Sequence, residues 1–265
     1  MLHPKLTRHG LMIFPPNDRF VGRSLSLYGE YSRGETVVFR QIVRPGWRAL
    51  DIGANVGVFT LDLSELVGRT GEVIAFEPQR AIFHMLCANI AMNERRNVKC
   101  IHAALGNKAR MVPMPVLDYA AEENFGGISI EMGGKDAAPM QVLDTLDLGA
   151  INFIKIDVEG HEREALMGGR KTITQCKPVL YVENDRREKS PALIDLLLSW
   201  GYRLFWHLPL LYQPDNYHGV AENIFAGIVS CNMLCLPAQV RLDAPPELLT
   251  PIQSIQDWPV QVRPA

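Results

Sequence analysis

Short apolar runs alternate along the chain with longer segments whose apolar residues recur at helical spacing. Runs that are apolar throughout predict strands of a parallel sheet covered on both faces. Five such strands are predicted, at 48–53, 72–77, 97–105, 152–158 and 178–183. The intervening spacing predicts helices at 35–43, 58–67, 79–93, 162–168 and 190–200. Regular alternation of strand and helix is typical of an α/β fold with a parallel sheet between two layers of helices.

Two further apolar runs, 202–206 and 223–229, follow with no helical pattern between them. They predict an antiparallel hairpin at one edge of the sheet, for a total of seven strands, up to six of them parallel. We therefore divide the chain into an N-terminal segment with one helix (1–44), a core domain (45–236) and a proline-rich tail (237–265) that is either wrapped on the core or disordered. The glycine-rich stretch within 106–142 does not follow the alternation of strands and helices. It predicts a long loop with one ribbon, and long loops of this kind often form a lid over a site.

Composition narrows the class of protein. The chain of 265 residues is 47% hydrophobic and 21% charged with a net charge of −2, which is ordinary for a globular protein. A protein that binds nucleic-acid phosphates usually has a basic excess, so we expect no nucleic-acid partner. Five scattered cysteines favour free thiols over a disulfide framework. We find neither a secretory signal nor a membrane span, which makes the cytoplasm the expected compartment.

The most specific local motif is the glycine turn Asp51-Ile52-Gly53-Ala54-Asn55-Val56-Gly57, which follows the first predicted strand. Open α/β sheets bind ligands at the carboxyl ends of their strands, and glycine there lets the backbone approach a ligand closely. The turn is not the dinucleotide Gly-x-Gly-x-x-Gly, and the acid Asp51 disfavours a pyrophosphate. Glu77 ends the second strand, where a carboxylate can accept both hydroxyls of an adenosine ribose. These two acids suit a cationic ligand that also carries a ribose. S-adenosylmethionine, which combines a sulfonium, an ammonium and a ribose, is such a ligand.

A second motif, Phe153-Ile154-Lys155-Ile156-Asp157-Val158-Glu159-Gly160-His161-Glu162, ends the fourth predicted strand. Its ionisable groups would be costly to bury without partners, so we expect them to face a cleft or each other. Together with the glycine turn, Phe76-Glu77-Pro78 and several shorter segments across roughly residues 28–235, this motif closely resembles the FkbM family of S-adenosylmethionine-dependent methyltransferases.

The resemblance implies a Rossmann-like class I methyltransferase fold and methyl transfer, usually to a hydroxyl of a sugar, a polyketide or another natural product. By position, it implies that Asp51, Gly53, Asn55 and Gly57 bind the methionine end of the cofactor and Glu77 its ribose. It places Ala103 and Ala104 beside the adenine. Asp157 and Glu159 would face the transferable methyl group or the acceptor.

A hydroxyl acceptor has to lose its proton, which calls for a general base. His161 is our first candidate, because Glu159 and Glu162 flank it and would raise its pKa or orient its ring. It could equally cap the following helix, and Asp157 is the alternative base. A divalent metal held by Asp157, Glu159 and His161 is a minor alternative, and no metal site is predicted.

Functions of other classes stay open on the sequence alone. A nicotinamide-dependent oxidoreductase would share the fold but requires the dinucleotide fingerprint that this chain lacks. A non-catalytic binding module is the third alternative, since a fold does not prove an activity. The expected partner is a small-molecule hydroxyl acceptor. Exposed aromatic residues in the long loop or the tail would suit a homodimer, which the sequence leaves undecided.

Overall fold

The structure is a computed structural model of the chain and describes residues 3–118, 121–240, 248–259 and 263–264. In the described part it contains seven α-helices. These are α1 (Val21–Tyr28), α2 (Arg33–Ile42), α3 (Val58–Val67), α4 (Arg80–Met92), α5 (Glu162–Gly168), α6 (Arg170–Cys176) and α7 (Ser190–Ser199). All five predicted helices are present within a few residues of their expected bounds, while α1 and α6 were not predicted.

A mixed sheet of eight strands forms the centre of the described structure. Its strands in chain order are β3 (Arg48–Ile52), β4 (Glu72–Phe76), β5 (Val98–Ile101), β9 (Phe153–Ile156), β10 (Val179–Glu183), β11 (Tyr202–His207), β13 (Asn232–Pro237) and β14 (Thr250–Pro251). Their spatial order is β14-β11-β13-β10-β9-β3-β4-β5. Six of the seven long strands run in one direction, and β13 runs opposite to both of its neighbours. This is the predicted Rossmann-like α/β fold, with a two-residue edge strand added.

The remaining strands lie outside this sheet. They are β1 (Lys5–Thr7), β2 (Gly10–Met12), β6 (Ala104–Leu105), β7 (Arg110–Met114), β8 (Asp136–Gln141), β12 (Ile228–Val229) and β15 (Arg263–Pro264). The predicted strand 97–105 is therefore divided between the main sheet and a small sheet of order β6-β8-β7. The antiparallel pair β7–β8 is the ribbon expected within 106–142.

The position of the last long strand was predicted wrongly. Within 223–229, residues 224–227 form a turn, in which the Asn223 side chain accepts a hydrogen bond from the Phe225 N–H and the Ile228 N–H donates to the Phe225 carbonyl. Only the short strand β12 follows, outside the main sheet. The actual strand, β13, is buried along its whole length. It lies between β10 and β11 and not at the edge of the sheet.

Two apolar layers cover the two faces of the sheet. One contains the inward faces of α2, α3 and α4, and the other contains those of α5, α6 and α7. Successive residues of β3 alternate between them, with Ala49 in the first layer and Leu50 in the second. This alternation follows from the two-residue repeat of a strand, and it explains why the strands read as continuous apolar runs.

The described part of the tail is wrapped on the sheet. The backbone N–H of Ile252 donates to the Leu204 carbonyl at 2.9 Å, and Trp258 contacts Trp206 edge-on with ring centroids 5.8 Å apart. Pro245 and Pro246, on which the prediction of a proline-rich tail partly depended, lie outside the described residues. The domain boundaries at 44 and 236 stay predictions.

Candidate active site

A large cleft opens at the carboxyl ends of the parallel strands. It encloses about 1050 Å³ of empty space, including its open mouth, and residues that follow β3, β4, β9 and β10 line it. The chain leaves β5 at one edge and returns at β9 on the other side of β3. Such a reversal of strand order leaves a crevice where open α/β sheets bind their ligands. Strand topology therefore accounts for the position of the cleft.

The glycine turn forms the floor of the cleft. Gly53 has a φ of +81°, which is accessible to glycine at little cost. A Cβ atom on Gly53 would overlap the backbone carbonyl oxygen of Asp157. The turn and the end of β9 thus approach each other as closely as their backbones allow.

Replacement of Gly53 by Ala should be markedly destabilising. Gly201 is a matched control, because its φ of +79° is almost the same but no atom lies within 4 Å of a Cβ built there. Backbone strain alone should cost Gly201→Ala about 1–2 kcal/mol, and the overlap at Gly53 should add about 1–3 kcal/mol. Urea unfolding of both variants measures the difference. Equal losses of stability would show that the turn and β9 are not closely packed.

Glu77 lies beside this turn, with 4% of its surface exposed. Its two carboxylate oxygens accept hydrogen bonds from the backbone N–H of Asn55 at 2.9 Å and of Gln79 at 2.7 Å. Burial raises the pKa of Glu77 to about 7, although these two hydrogen bonds oppose the shift. An ionised carboxylate offers about four acceptor positions, so two remain for a ligand in the cleft.

The predicted cofactor residues divide into two groups by position. Six line the cleft: Gly53, Asn55, Glu77, Ala103, Ala104 and Asp157. Asp51 and Gly57 do not line it. Asp51 is completely buried and accepts a hydrogen bond from the Thr60 hydroxyl at 2.6 Å, whereas Gly57 precedes α3 and packs against Leu86.

Lys155 is the feature of the site to which sequence reasoning gave no role. It is 1% exposed, and its Nζ lies 2.8 Å from Oδ2 of Asp157 and 4.8 Å from the centre of the Phe59 ring. Burial alone would lower the pKa of Lys155, but Asp157, Asp51 and Glu35 raise it above its ordinary value. A lysine in a strand that is otherwise apolar is the signal that could have marked it.

His161 lines the cleft, and the two acids expected to act on it have hydrogen-bond partners of their own. Glu159 pairs with Arg186 at 2.6 Å, and Glu162 accepts hydrogen bonds from the backbone N–H groups of Val158 and Gly160. The His161 ring also lies near Glu164, with 3.7 Å between Nδ1 and Oε2. An effect of Glu159 and Glu162 on the pKa or the orientation of His161 stays a prediction.

The long loop closes one side of the cleft. Asn124, Gly126, Ile128 and Ile130 line it. The Asp18 carboxylate accepts a hydrogen bond from the Phe125 N–H at 2.8 Å, and the Phe125 carbonyl accepts one from Gln79 Nε2 at 2.9 Å. The loop is thus attached both to the N-terminal segment and to the cleft wall. A lid movement of 106–142 stays a prediction.

Solved structures with a similar fold include three methyltransferases. FkbM methyltransferase from Methylobacillus flagellatus KT is 19% identical with a TM-score of 0.49, over 76% of this chain and 50% of that one. This chain thus spans half the length of that protein. A methyltransferase dependent on S-adenosylmethionine from Aquifex aeolicus is 17% identical with a TM-score of 0.43, over 80% and 90% of the two chains. Fibrillarin from Aeropyrum pernix, with bound S-adenosylmethionine, is 12% identical with a TM-score of 0.41, over 88% and 81%.

No curated protein matches the chain. Among the described residues, no helix is both long enough and apolar enough to cross a membrane. The family model of the methyltransferase FkbM domain matches residues 51–204, which is more than half of the chain and extends from the glycine turn to β11. The chain therefore belongs to the FkbM family of methyltransferases.

Proposed function

We propose that the protein transfers a methyl group from S-adenosylmethionine to a hydroxyl oxygen of a small molecule, such as a sugar, a polyketide or another natural product. The observation that supports a hydroxyl acceptor is the ionisable wall of the cleft beyond the glycine turn. Asp157, Glu159 and His161 all line it there. A hydroxyl has to lose its proton, and these residue types can take it.

The residues present fit the cofactor. The buried carboxylate of Glu77 faces the cleft with acceptor positions left over, which suits two ribose hydroxyls. The turn at Gly53 leaves no room for a side chain, and Ala103 and Ala104 give the adjoining wall a small apolar surface. When bound, S-adenosylmethionine supplies a methyl group that its sulfonium already activates for displacement.

The chain's own contribution is then to position the acceptor and to take its proton. Precise orientation of reacting groups can supply about 7–11 kcal/mol of a barrier. Asp157 is the better placed of the two predicted bases for a fixed geometry, because Lys155 holds one of its oxygens at 2.8 Å. His161 remains the alternative base. The loop around Gly126 lines the cleft on one side.

Affinity for the cofactor should fall as the pH falls, because the ionised form of Glu77 is the better hydroxyl acceptor. With a pKa of about 7 in the free protein, Glu77 loses most of its ionised form between pH 8 and pH 6, and affinity should drop about tenfold over that range. Calorimetric titrations at pH 6, 7 and 8 measure this. Glu77→Gln is the control, because the pH dependence that remains in this variant comes from all other titrating groups, including the amino group of the cofactor. The same pH dependence in both proteins would contradict the prediction.

The acceptor is best identified by incubating the protein with S-adenosylmethionine labelled in its methyl group and a metabolite extract. We expect S-adenosylhomocysteine together with a labelled product whose label lies on oxygen. A label on nitrogen or carbon would disprove O-methylation and leave methyl transfer intact. Release of no S-adenosylhomocysteine with any pool of acceptors would favour a non-catalytic binding module.

The homodimer, the lack of a nucleic-acid partner and the cytoplasmic location stay part of this proposal. The near-neutral net charge and the five free cysteines support the last two. Light scattering and cell fractionation would test the dimer and the location.

A further inference from the structure

Three carboxylates converge in the wall of the cleft at the ends of β9 and β10. Asp157 and Glu159 follow β9, and Glu183 ends the neighbouring strand β10. Each offers one carboxylate oxygen, and these three oxygens all lie within 4.8 Å of one another. All three residues line the cleft. Parallel pairing of β9 and β10 is the reason that their carboxyl ends meet.

The positive charges nearby compensate only two of these acids. Lys155 pairs with Oδ2 of Asp157 at 2.8 Å, and Arg186 pairs with Oε2 of Glu159 at 2.6 Å. Within the described ranges, no ion pair is formed by Glu183. Glu183 is therefore the member of the cluster without an ion-pair partner among the residues that the structure describes.

A second observation concerns the individual atoms of Glu183. Its Oε2 is buried and has no hydrogen-bond partner in the part of the chain that the structure describes. Burial, followed by the charges of Asp157 and Glu159, raises the pKa of Glu183 well above its ordinary value. A buried acceptor without a donor is costly, and this one belongs to the wall of an open cleft. It marks a position where a cationic ligand would be stabilised.

We propose that Asp157, Glu159 and Glu183 bind one divalent cation of the Mg²⁺, Mn²⁺ or Ca²⁺ class. Carboxylate oxygens are the donors that these hard cations prefer. With metal–oxygen distances of about 2.1–2.5 Å, ligands on opposite sides of an ion lie about 4–5 Å apart, so three oxygens within 4.8 Å of one another can share one ion. The sequence analysis grouped His161 with Asp157 and Glu159 as a minor alternative metal site, but His161 is not part of this cluster.

The site extends the proposed function and rests on it for its role in the reaction. Three protein oxygens leave several of the six to eight coordination positions of such an ion open. A hydroxyl of the acceptor could occupy one of them, and coordination to a cation would lower its pKa and make its proton easier to remove. Binding of the ion itself does not depend on methyl transfer.

Titration of the full-length protein with Mn²⁺, followed by the electron paramagnetic resonance of the free ion, tests the site directly. We expect one ion per chain with a dissociation constant of roughly 10⁻⁴ M, as for other protein sites of few ligands. Glu183→Gln keeps the shape of the side chain and removes its charge, and it should weaken Mn²⁺ binding at least tenfold. Glu188→Gln is the matched control, because Glu188 is an exposed acid five residues further along the same segment. It should change the affinity by less than twofold.

Two results would overturn the proposal: no bound Mn²⁺ at millimolar concentration, or equal affinity in the wild type and Glu183→Gln. If Glu183→Gln fails to fold, as judged by circular dichroism, Glu159→Gln serves as the second variant with the same expected loss. S-adenosylmethionine affinity is measured on the same samples by calorimetry. Loss of Mn²⁺ binding with normal cofactor affinity identifies the cation site, whereas a wild type that binds Mn²⁺ but no cofactor contradicts the proposed function alone.

Discussion

Glu77→Ala should weaken the binding of S-adenosylmethionine by about 100- to 10,000-fold. Each hydrogen bond to a charged group contributes about 1.5–3 kcal/mol, and a carboxylate at this position can accept two ribose hydroxyls. The substitution also leaves the buried N–H groups of Asn55 and Gln79 without their acceptor. Isothermal titration calorimetry of the wild type and the variant measures the loss.

A suitable control for this substitution is Glu65→Ala, since Glu65 is 61% exposed and lies on α3 away from the cleft. It should bind the cofactor as the wild type does. Thermal unfolding of Glu77→Ala shows whether the glycine turn is intact. A folded Glu77→Ala protein whose affinity is within threefold of the wild type would contradict the assignment of Glu77 to the ribose.

Lys155→Met should lower the free energy of unfolding by about 3–5 kcal/mol. Removal of one partner from a buried ion pair leaves an uncompensated buried charge, which costs about this amount. Lys155 is 1% exposed, and Asp51, Glu35 and Asp157 all act on its charge. Methionine fills a similar volume, so the loss reflects charge and not packing. Urea unfolding at neutral pH measures it.

Lys171→Met is the matched control, because Lys171 is exposed on α6. A substitution of this kind usually changes stability by less than about 0.5 kcal/mol. Lys155→Arg keeps the charge and should lose less stability than Lys155→Met. A loss below about 1 kcal/mol for Lys155→Met would show that the three acids do not depend on Lys155.

The sequence predicted those parts of the fold that depend on local patterns. The apolar strands and the helical spacing gave the five parallel strands of the main sheet and the helices between them. The last strand was misplaced because 223–229 and 232–237 are both apolar, while 224–227 form a turn and 232–237 form the buried strand β13. Which apolar run enters the sheet depends on contacts distant in sequence, and periodicity does not contain them.

The sequence predicted that residues at the ends of neighbouring strands lie together. Gly53, Asn55, Glu77 and Asp157 line one cleft, since parallel strands bring their carboxyl ends to the same edge. The partners of individual side chains were harder to predict, because residues only a few positions apart in sequence can point in different directions. Thus Glu159 accepts a hydrogen bond from Arg186, which lies 27 residues away.

The convergence of Glu183 with Asp157 and Glu159 was also not predicted. The sequence places Glu183 at the end of a strand, and only the pairing of β10 with β9 brings it beside the other two acids. Asp51 was expected at the cleft but lies beneath it, completely buried against Thr60. A buried residue within a strand and one at the cleft look alike in sequence, and only the structure shows which of them lines the cleft.

The central claim is that the cleft beside Glu77 binds S-adenosylmethionine. Its most direct test is calorimetric titration of the wild-type protein with S-adenosylmethionine and, separately, with NADH. We predict one molecule of S-adenosylmethionine per chain and no binding of NADH. Binding of NADH without binding of S-adenosylmethionine would contradict the claim.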